Sequence, residues 1–287
     1  MRTLLLIFLL SALNLFPQGN TIRDPAFLAA TTAPNSLWTL PVAGYTLWLT
    51  PQYPDTMTTN FQGTIQAVGN GTDQSRIWRW KDKTVGSTND VFSNVSGAND
   101  SRPQLTNTAA FKNQPVVFFN GVTPVKCYLV TTQNVTLGLS NSGSYTLFCV
   151  AQMGQTAEAF VPSLYMNQGA NFLGFRKNNA ANQITAFDGV GSAASVTLST
   201  NVAHVYGSRF SNSLNSLQLW TNTALASTFT GDTASTPSGG LVAIGANSLL
   251  VSSFWYGWIA DVIVYPFELT DQEMTNTLTA LKNKYIP

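Results

Sequence analysis

The segment from Phe254 to the C-terminus constrains the fold of this chain more than any other. Its first part, Phe254–Tyr265, carries aromatic and β-branched residues on both faces of a period-two pattern, which predicts a strand buried between two layers. Thr270 followed by Glu273 makes a capping box, which predicts the start of a helix. The helix has one apolar stripe at intervals of four, three and four residues: Met274, Leu278, Leu281 and Tyr285. The segment therefore predicts a buried strand followed by one helix docked on a core.

The rest of the chain is dominated by strand patterns. Residues 145–153 and 202–210 are predicted to be long core strands, and residues 214–220 alternate apolar and polar side chains like a half-exposed strand. Glycines punctuate these segments at the spacing of a meander, and there is no internal repeat. The sequence therefore predicts an all-β sandwich over residues 37–287, preceded by an N-terminal arm over residues 1–36.

A family resemblance rests on short motifs that follow one another along the chain. They are Leu47-Trp48-Leu49, Trp80-Lys81-Asp82-Lys83 with Gly86, Arg102-Pro103-Gln104-Leu105, Gln114-Pro115-Val116-Val117-Phe118-Phe119-Asn120-Gly121, and Gly257–Tyr265 with its helix and the closing Lys284-Tyr285. In this order, residues 40–287 resemble concanavalin A-like (laminin-G-like) jelly-roll domains. The resemblance implies two antiparallel sheets with one C-terminal helix, and a turn in which the Asp82 carboxylate caps backbone amides. Asn120 stands where that family usually has aspartate, which weakens any analogy to a metal site.

The composition limits the partners. Only 9% of the residues are charged, against roughly 25% in ordinary soluble proteins. The net charge is +1, so there is no electrostatic basis for binding nucleic acid or acidic lipid. A polar surface built from Asn, Gln, Ser and Thr is typical of secreted β-proteins and of virion components.

The two cysteines, Cys127 and Cys149, both lie in apolar strand-like segments. They are predicted to be buried free thiols that pack as small apolar side chains. A disulfide between neighbouring strands stays open, because spacing alone does not decide it.

Known catalytic patterns are missing from the sequence. Of the three glutamates, Glu158, Glu268 and Glu273, none has a carboxylate partner two residues away, as a glycosidase strand would require. His204 is the sole histidine, and the chain has no Gly-x-Ser-x-Gly motif, so His204 is predicted to be structural. We therefore predict no catalytic residues and a protein that is not an enzyme.

Metal and cofactor sites are not predicted either. The candidate calcium ligands are six aspartates in polar, turn-like surroundings: Asp73, Asp82, Asp90, Asp100, Asp188 and Asp232. None belongs to an Asp-x-Asp pair, and aspartate is an ordinary turn former. The sequence predicts no metal ligands and no cofactor, with calcium left open.

Tryptophan offers the best candidates for ligand binding. The chain has seven: Trp38, Trp48, Trp78, Trp80, Trp220, Trp255 and Trp258. Trp48 and Trp258 match core positions of the family. Trp78 and Trp80 share one strand face, so at least one of them should be exposed. Trp220, at a strand end, and Trp78 are the residues predicted to stack on a sugar.

The N-terminus supports two interpretations. Arg2 followed by apolar residues 3–13 has the charge and length of a signal peptide, and the segment is shorter than the roughly 20 residues of a membrane span. Residues 13–17, Leu-Asn-Leu-Phe-Pro, contain no clean small-x-small cleavage site. Residues 18–27 resemble leaders of phage-encoded laminin-G-like proteins. The segment is either a retained docking arm, which we favour, or a cleaved leader.

Two functions follow from these features. The first is a non-enzymatic structural protein of a virion, such as a capsid-decoration, tail or fibre-associated subunit, anchored by its arm to other virion proteins and to further copies of itself. The alternative is a secreted, lectin-like carbohydrate-binding module that binds a cell-surface glycan. Their locations are the virion and the extracellular space, respectively.

Overall fold

The computed structural model describes residues 38–52, 57–58, 76–93, 102–121, 127–139, 143–154, 159–166, 173–178, 182–188, 193–231, 239–246 and 254–287. The predicted arm, residues 1–36, lies outside these ranges.

Seventeen strands, one short 3-10 helix (Ala109–Phe111) and one α-helix make up the described elements. The strands are β1 (Leu47–Leu49), β2 (Met57–Thr58), β3 (Arg79–Trp80), β4 (Val91–Ser93), β5 (Gln104–Asn107), β6 (Pro115–Phe119), β7 (Leu129–Val130), β8 (Tyr145–Met153), β9 (Ala159–Met166), β10 (Leu173–Asn178), β11 (Gln183–Asp188), β12 (Ala193–Thr197), β13 (Ala203–Ser211), β14 (Ser216–Thr221), β15 (Ala224–Thr230), β16 (Leu241–Ile244) and β17 (Gly257–Tyr265). The helix, α1, spans Asp271–Tyr285.

The strands form two antiparallel sheets. Sheet A has the order β15-β14-β13-β8-β17-β6-β5, and β1 pairs with β17 outside that order. Sheet B has the order β12-β11-β10-β9-β16-β7-β4-β3-β2. Phe175 of β10 and Tyr206 of β13 meet between the sheets, with ring centroids 5.8 Å apart. The inner faces of the two sheets therefore pack against each other as a sandwich.

The helix covers the outer face of sheet A. Its capping box is formed as predicted, because the Thr270 side chain accepts from the Glu273 backbone N–H and the Glu273 carboxylate accepts from Thr270. The predicted stripe is fully buried: Met274, Leu278, Leu281 and Tyr285. It packs on apolar side chains of sheet A that include Phe148 and Val205. The sequence prediction of a buried strand followed by one docked helix is confirmed.

An ion pair fixes the end of the helix to the sheet. Lys284 Nζ lies 3.1 Å from Asp261 Oδ2, and Trp48 Nε1 donates to the other carboxylate oxygen over 3.2 Å. The carboxylate is fully buried and the lysine side chain is 6% exposed. Lys284 Nζ also lies 3.6 Å from the ring centroid of Trp38, a cation–π contact. Burial lowers the pKa of Lys284, and the Asp261 charge acts in the opposite direction.

The all-β sandwich with two antiparallel sheets and a single C-terminal helix agrees with the predicted fold class. Cys127 and Cys149 are buried free thiols, as predicted, and burial raises the pKa of Cys127 to about 12. Among the described residues, no helix is both long and apolar enough to cross a membrane.

Candidate functional site

A continuous row of paired residues crosses all nine strands of sheet B. From one edge to the other the partners are Thr58, Arg79, Phe92, Val130, Ala243, Ser163, Gly174, Phe187 and Ala193. Directly paired residues of neighbouring strands share one face of a sheet. The adjacent residue Phe175 points inward to Tyr206, so the row lies on the outer face of sheet B.

Two arginine–phenylalanine pairs lie on this outer face. The Arg79 guanidinium is 5.6 Å from the ring centroid of Phe92, and the Arg176 guanidinium is 4.4 Å from that of Phe187. We call these four residues the basic-aromatic face. Five interstrand spacings separate Phe92 from Phe187, which is roughly 24 Å at about 4.8 Å per spacing. Both ends of the outer face thus present the same chemical pair.

The strip between the two pairs has small or modest side chains. Gly174 has no side chain, Ala243 is buried, and Val130 is half-buried. Arg79, Phe92 and Arg176 are half-buried, whereas Phe187 is 9% exposed. The arginines are therefore more accessible than Gly174 and Ala243 in the strip between them.

Two aspartates position Arg79. Asp90 Oδ2 accepts from Arg79 Nε over 2.7 Å and pairs with Nη2, while Asp90 Oδ1 accepts from the Asp82 backbone N–H over 2.9 Å. Asp82 Oδ1 in turn accepts from the backbone N–H groups of Trp48 and Thr84, each over 2.9 Å. The predicted role of Asp82 as a turn residue that caps backbone amides is confirmed. This network makes the turn between β3 and β4 rigid and holds Arg79 against Phe92.

The opposite pair is positioned from both sheets. The Tyr145 hydroxyl of β8 donates to the Phe187 carbonyl over 3.3 Å, which ties β11 to sheet A. On the outer face beside Phe187, the hydroxyls of Thr185 and Ser195 are 2.9 Å apart and share a hydrogen bond. Phe187 is thus fixed by its own backbone, while Arg176 lies over its ring.

The chemical capacity of this face follows from its groups. A guanidinium carries five N–H donors in a fixed plane, and it binds carboxylates and hydroxyls without titrating near neutral pH. Aromatic rings add apolar contact area at low entropic cost. Few polar groups placed among apolar surface are typical of ligand sites. The face is therefore suited to an extended polar ligand that also has apolar patches.

Trp220, one of the two predicted sugar-stacking residues, lies on the outer face of sheet A. It is 6% exposed and packs in the cluster beneath α1. Its Nε1 donates to Gln218 Oε1 over 3.2 Å, and the Arg209 guanidinium lies 5.7 Å from its ring. A sugar could stack on this indole only if its neighbours moved.

Trp78, the second predicted residue, lies immediately before β3. It is half-buried, while Trp80 is fully buried, and the Arg102 guanidinium is 5.8 Å from the Trp78 ring. Trp78 and Trp220 belong to different sheets, so the structure does not bring them together in one site. Ligand binding at either indole stays a prediction.

The remaining candidates fall into two groups. Asp73, Asp100, Asp232 and Glu158, and the side chain of Asp188, lie outside the described residues. His204 is 7% exposed, burial lowers its pKa, and its Nδ1 lies 3.4 Å from the Asn222 side-chain amide. Glu273 serves the helix cap. In the ranges given above, no group of three or more His, Cys, Asp or Glu side chains is placed to hold a metal ion.

None of the basic-aromatic residues was selected from the sequence. Arg79 precedes Trp80 and Arg176 follows Phe175, so each arginine alternates with an apolar residue. This alternation indicates that the arginine side chains point outward. What the sequence lacks is the pairing register, which alone shows that these residues share a face.

No model of a known protein family and no curated protein sequence matches the chain. Among solved structures, it is similar to the Trypanosoma rangeli sialidase in complex with 2,3-difluorosialic acid, at 14% identity and a TM-score of 0.54. That alignment covers 90% of this chain and 38% of the sialidase. The sialidase without ligand gives 14% identity and a TM-score of 0.52, with 85% and 34% covered. The chain thus spans little more than a third of the sialidase length.

The chain is also similar to the CBM40 of the Ruminococcus gnavus IT-sialidase bound to α2,3 sialyllactose. Here the identity is 13% and the TM-score 0.40, and the alignment covers 46% of this chain and 81% of that module.

These findings correct the prediction that the chain is not an enzyme, because its fold is shared with sialidases, which are enzymes. The prediction considered only catalytic patterns of known spacing, and such patterns do not limit what a fold can host. Nothing in the comparisons supports the predicted structural role in a virion, nor the phage origin suggested by residues 18–27. At these identities the likeness shows the fold.

Proposed function

We propose that the protein binds carbohydrate on the basic-aromatic face of sheet B. The observation that carries this proposal is the row across the sheet, with an arginine stacked on a phenylalanine near each end. This corresponds to the lectin-like alternative of the sequence analysis rather than to its main hypothesis.

The geometry supports an oligosaccharide rather than a single sugar. The two pairs are roughly 24 Å apart, more than one sugar ring spans. Gly174 and Ala243, in the strip between the pairs, are buried, so the sugars would contact the sheet chiefly at its two ends.

Arg176 favours a glycan that carries negative charge, whereas Arg79 is already paired with Asp90. Guanidinium binds a carboxylate through two parallel N–H···O bonds, and such charge-assisted bonds are about twice as strong as neutral ones. Sialic acid, the sugar acid named for the Trypanosoma rangeli enzyme, has such a carboxylate. The low overall charge of the chain, +1, means that attraction comes from these local groups rather than from a long-range field.

The test is a glycan array that contains neutral and acidic oligosaccharides, followed by calorimetric titration of the best ligand. Arg176→Ala should weaken binding by about tenfold or more, since one charge-assisted contact contributes roughly 1.5–3 kcal/mol. Arg79→Lys serves as a milder variant, because lysine keeps a charge beside Asp90. The same samples should be analysed for released sugar, given the fold shared with sialidases.

A control position is available beside sheet A. Val202 is 46% exposed, one residue before β13, and Val202→Ala should not change binding. Binding that survives both arginine substitutions would refute the proposal, as would binding lost equally in the Val202 variant.

The location follows as part of the same proposal. Glycans of this kind are displayed outside the cell, so the protein would act there, either secreted or on a particle that meets a cell surface. Mass spectrometry of the native N-terminus distinguishes the two: a start near residues 18–21 indicates a cleaved leader, and an intact Met1 or Arg2 indicates a retained arm.

A further inference from the structure

The two sheets end together on one side of the sandwich. Strand β15 is the last strand of sheet A and β12 the last of sheet B, and the two strands contact each other. In the described part of the chain, no strand pairs with the outer edge of either. Edge strands expose unpaired backbone N–H and C=O groups, which another strand can bind.

Strand β15 is unusually open for a strand of a large sheet. Six of its seven residues are exposed and only Ser227 is partly covered. Phe229 is 37% exposed, and Leu214, in the turn before β14, is 65% exposed. The Gly231 N–H donates to the Asn215 carbonyl over 2.9 Å, so Leu214 lies near the end of β15 that carries Phe229.

This edge also lacks charge. No Asp, Glu, Lys or Arg occurs between residues 210 and 231, and none occurs in β12. Natural edge strands are usually protected by charged side chains, proline or short length. The opposite side of the sandwich follows that rule, since β2 has two residues and β5 has four, with Arg102 and Pro103 immediately before β5. The long uncharged edge at β15 therefore differs from the protected edges at β2 and β5.

A bulge limits which part of β15 can pair. The register with β14 shifts between Leu219 and Trp220, which leaves Ala226 as the extra residue. Bulges bend a strand and disrupt its ladder, so the first half of β15 is poorly suited to a new partner. The second half, Ser227–Thr230, is regular and carries Phe229.

We propose that a second copy of this chain pairs with the Ser227–Thr230 half of β15, forming a two-fold dimer across this edge. An identical partner is favoured because a two-fold axis places a surface against itself, and any charge there would meet its like. The absence of charge removes that repulsion. The exposed Phe229 and Leu214 of both copies would then cover one another, and the unpaired backbone groups would gain partners. This inference does not depend on sugar binding.

Sedimentation equilibrium of the full chain over a wide concentration range, with Phe229→Lys and Leu214→Lys, tests the proposal. The unaltered protein should dimerise, and each variant should raise the dissociation constant by about tenfold or more, because the new charges face each other across the axis. Val85→Lys is the matched control: it adds the same charge at a fully exposed apolar position outside the edge, and it should leave dimerisation unchanged.

Hydrogen exchange gives a second measurement that needs no variant. Amide protection in residues 227–230 should rise with protein concentration, while amides of α1 should not change. A protein that stays monomeric at all concentrations would overturn the proposal. So would a dimer that tolerates Phe229→Lys, or one whose concentration-dependent protection lies elsewhere.

Discussion

An arginine lies over an aromatic ring on the outer face of each sheet, but the surroundings of the two pairs differ. On sheet A, Arg209 lies over Trp220, and both are nearly buried beneath the start of α1. On sheet B, Arg176 lies over Phe187 and stays half-buried, with no described helix above it. An arginine–aromatic pair is therefore not a sign of a binding site by itself. What differs is burial, because Arg209 is 6% exposed whereas Arg176 is half-buried.

The N–H groups of Arg209 donate to other residues of the protein. Its Nη1 donates to the Leu269 carbonyl over 2.7 Å, its Nε and Nη2 donate to Gln218 Oε1, and Nη2 pairs with Asp271 over 2.6 Å. Leu269 and Asp271 flank the cap of α1, so the arginine fixes the start of the helix on the sheet. Arg209 therefore fixes the start of α1 to sheet A, and the pair of Lys284 with Asp261 fixes its end. We call the outer face of sheet A, covered by α1, the closed face.

The largest expected effect on stability comes from removing the ion pair that fixes the end of α1 to sheet A. Lys284→Ala should lower the free energy of unfolding by about 3–5 kcal/mol, because it leaves the Asp261 charge buried without its partner. Urea unfolding followed by tryptophan fluorescence measures this loss. Glycan binding by the folded fraction should stay unchanged, since Lys284 lies on the other layer.

Lys282→Ala is the matched control, in the same last turn of α1. Lys282 makes no ion pair with a described residue, and its substitution should cost less than about 1 kcal/mol. A double variant, Asp261→Asn with Lys284→Met, should recover part of the loss because no buried charge remains. Equal losses for both lysines would show that the ion pair does not hold the helix.

A direct comparison of the two arginines gives the next largest effect. Arg209→Ala should cost roughly 2–3 kcal/mol, because it removes charge-assisted hydrogen bonds to Leu269 and Gln218. Arg176→Ala should change stability by less than about 1 kcal/mol, because its side chain is half-exposed. Sugar binding should show the reverse order. If both variants lose stability and binding alike, the two faces do not differ as described.

The closed face was predictable from the sequence. The capping box of Thr270 and Glu273, and the stripe from Met274 to Tyr285, are local patterns with fixed spacing in one helix. The strand before the helix was also predictable, because both of its faces are apolar. Local periodicity carries this information, and no knowledge of distant residues is needed.

The basic-aromatic face was not predictable. Arg79 and Phe92 are 13 positions apart, while Arg176 and Phe187 are 11 apart, and the two pairs are joined only through the strands between them. A one-residue slip in any register would move one pair to the inner face. The tryptophan count pointed instead to Trp220, since an aromatic residue at a strand end gives the same pattern whether or not a helix covers it.

The smallest expected effect is a pH dependence of stability that comes from the inner side of β13. On β13, Arg209 faces the helix, while His204 lies on the inner side and is 7% exposed. Burial lowers the pKa of His204 from its ordinary value of 6.5, so the folded protein favours the neutral ring. As the pH falls below about 6.5, the unfolded chain binds the proton first and stability decreases, by at most about 1.4 kcal/mol per pH unit.

This loss should appear in urea unfolding between about pH 7.5 and 5.5, and His204→Gln should flatten the dependence in that window. Glu273, whose pKa is lowered by its hydrogen bonds with Thr270, loses its charge only at lower pH and does not interfere. Since His204 faces the inside of the sandwich, the slope reports on the inner layer. A slope that persists in the His204 variant would assign the pH dependence to a group outside β13.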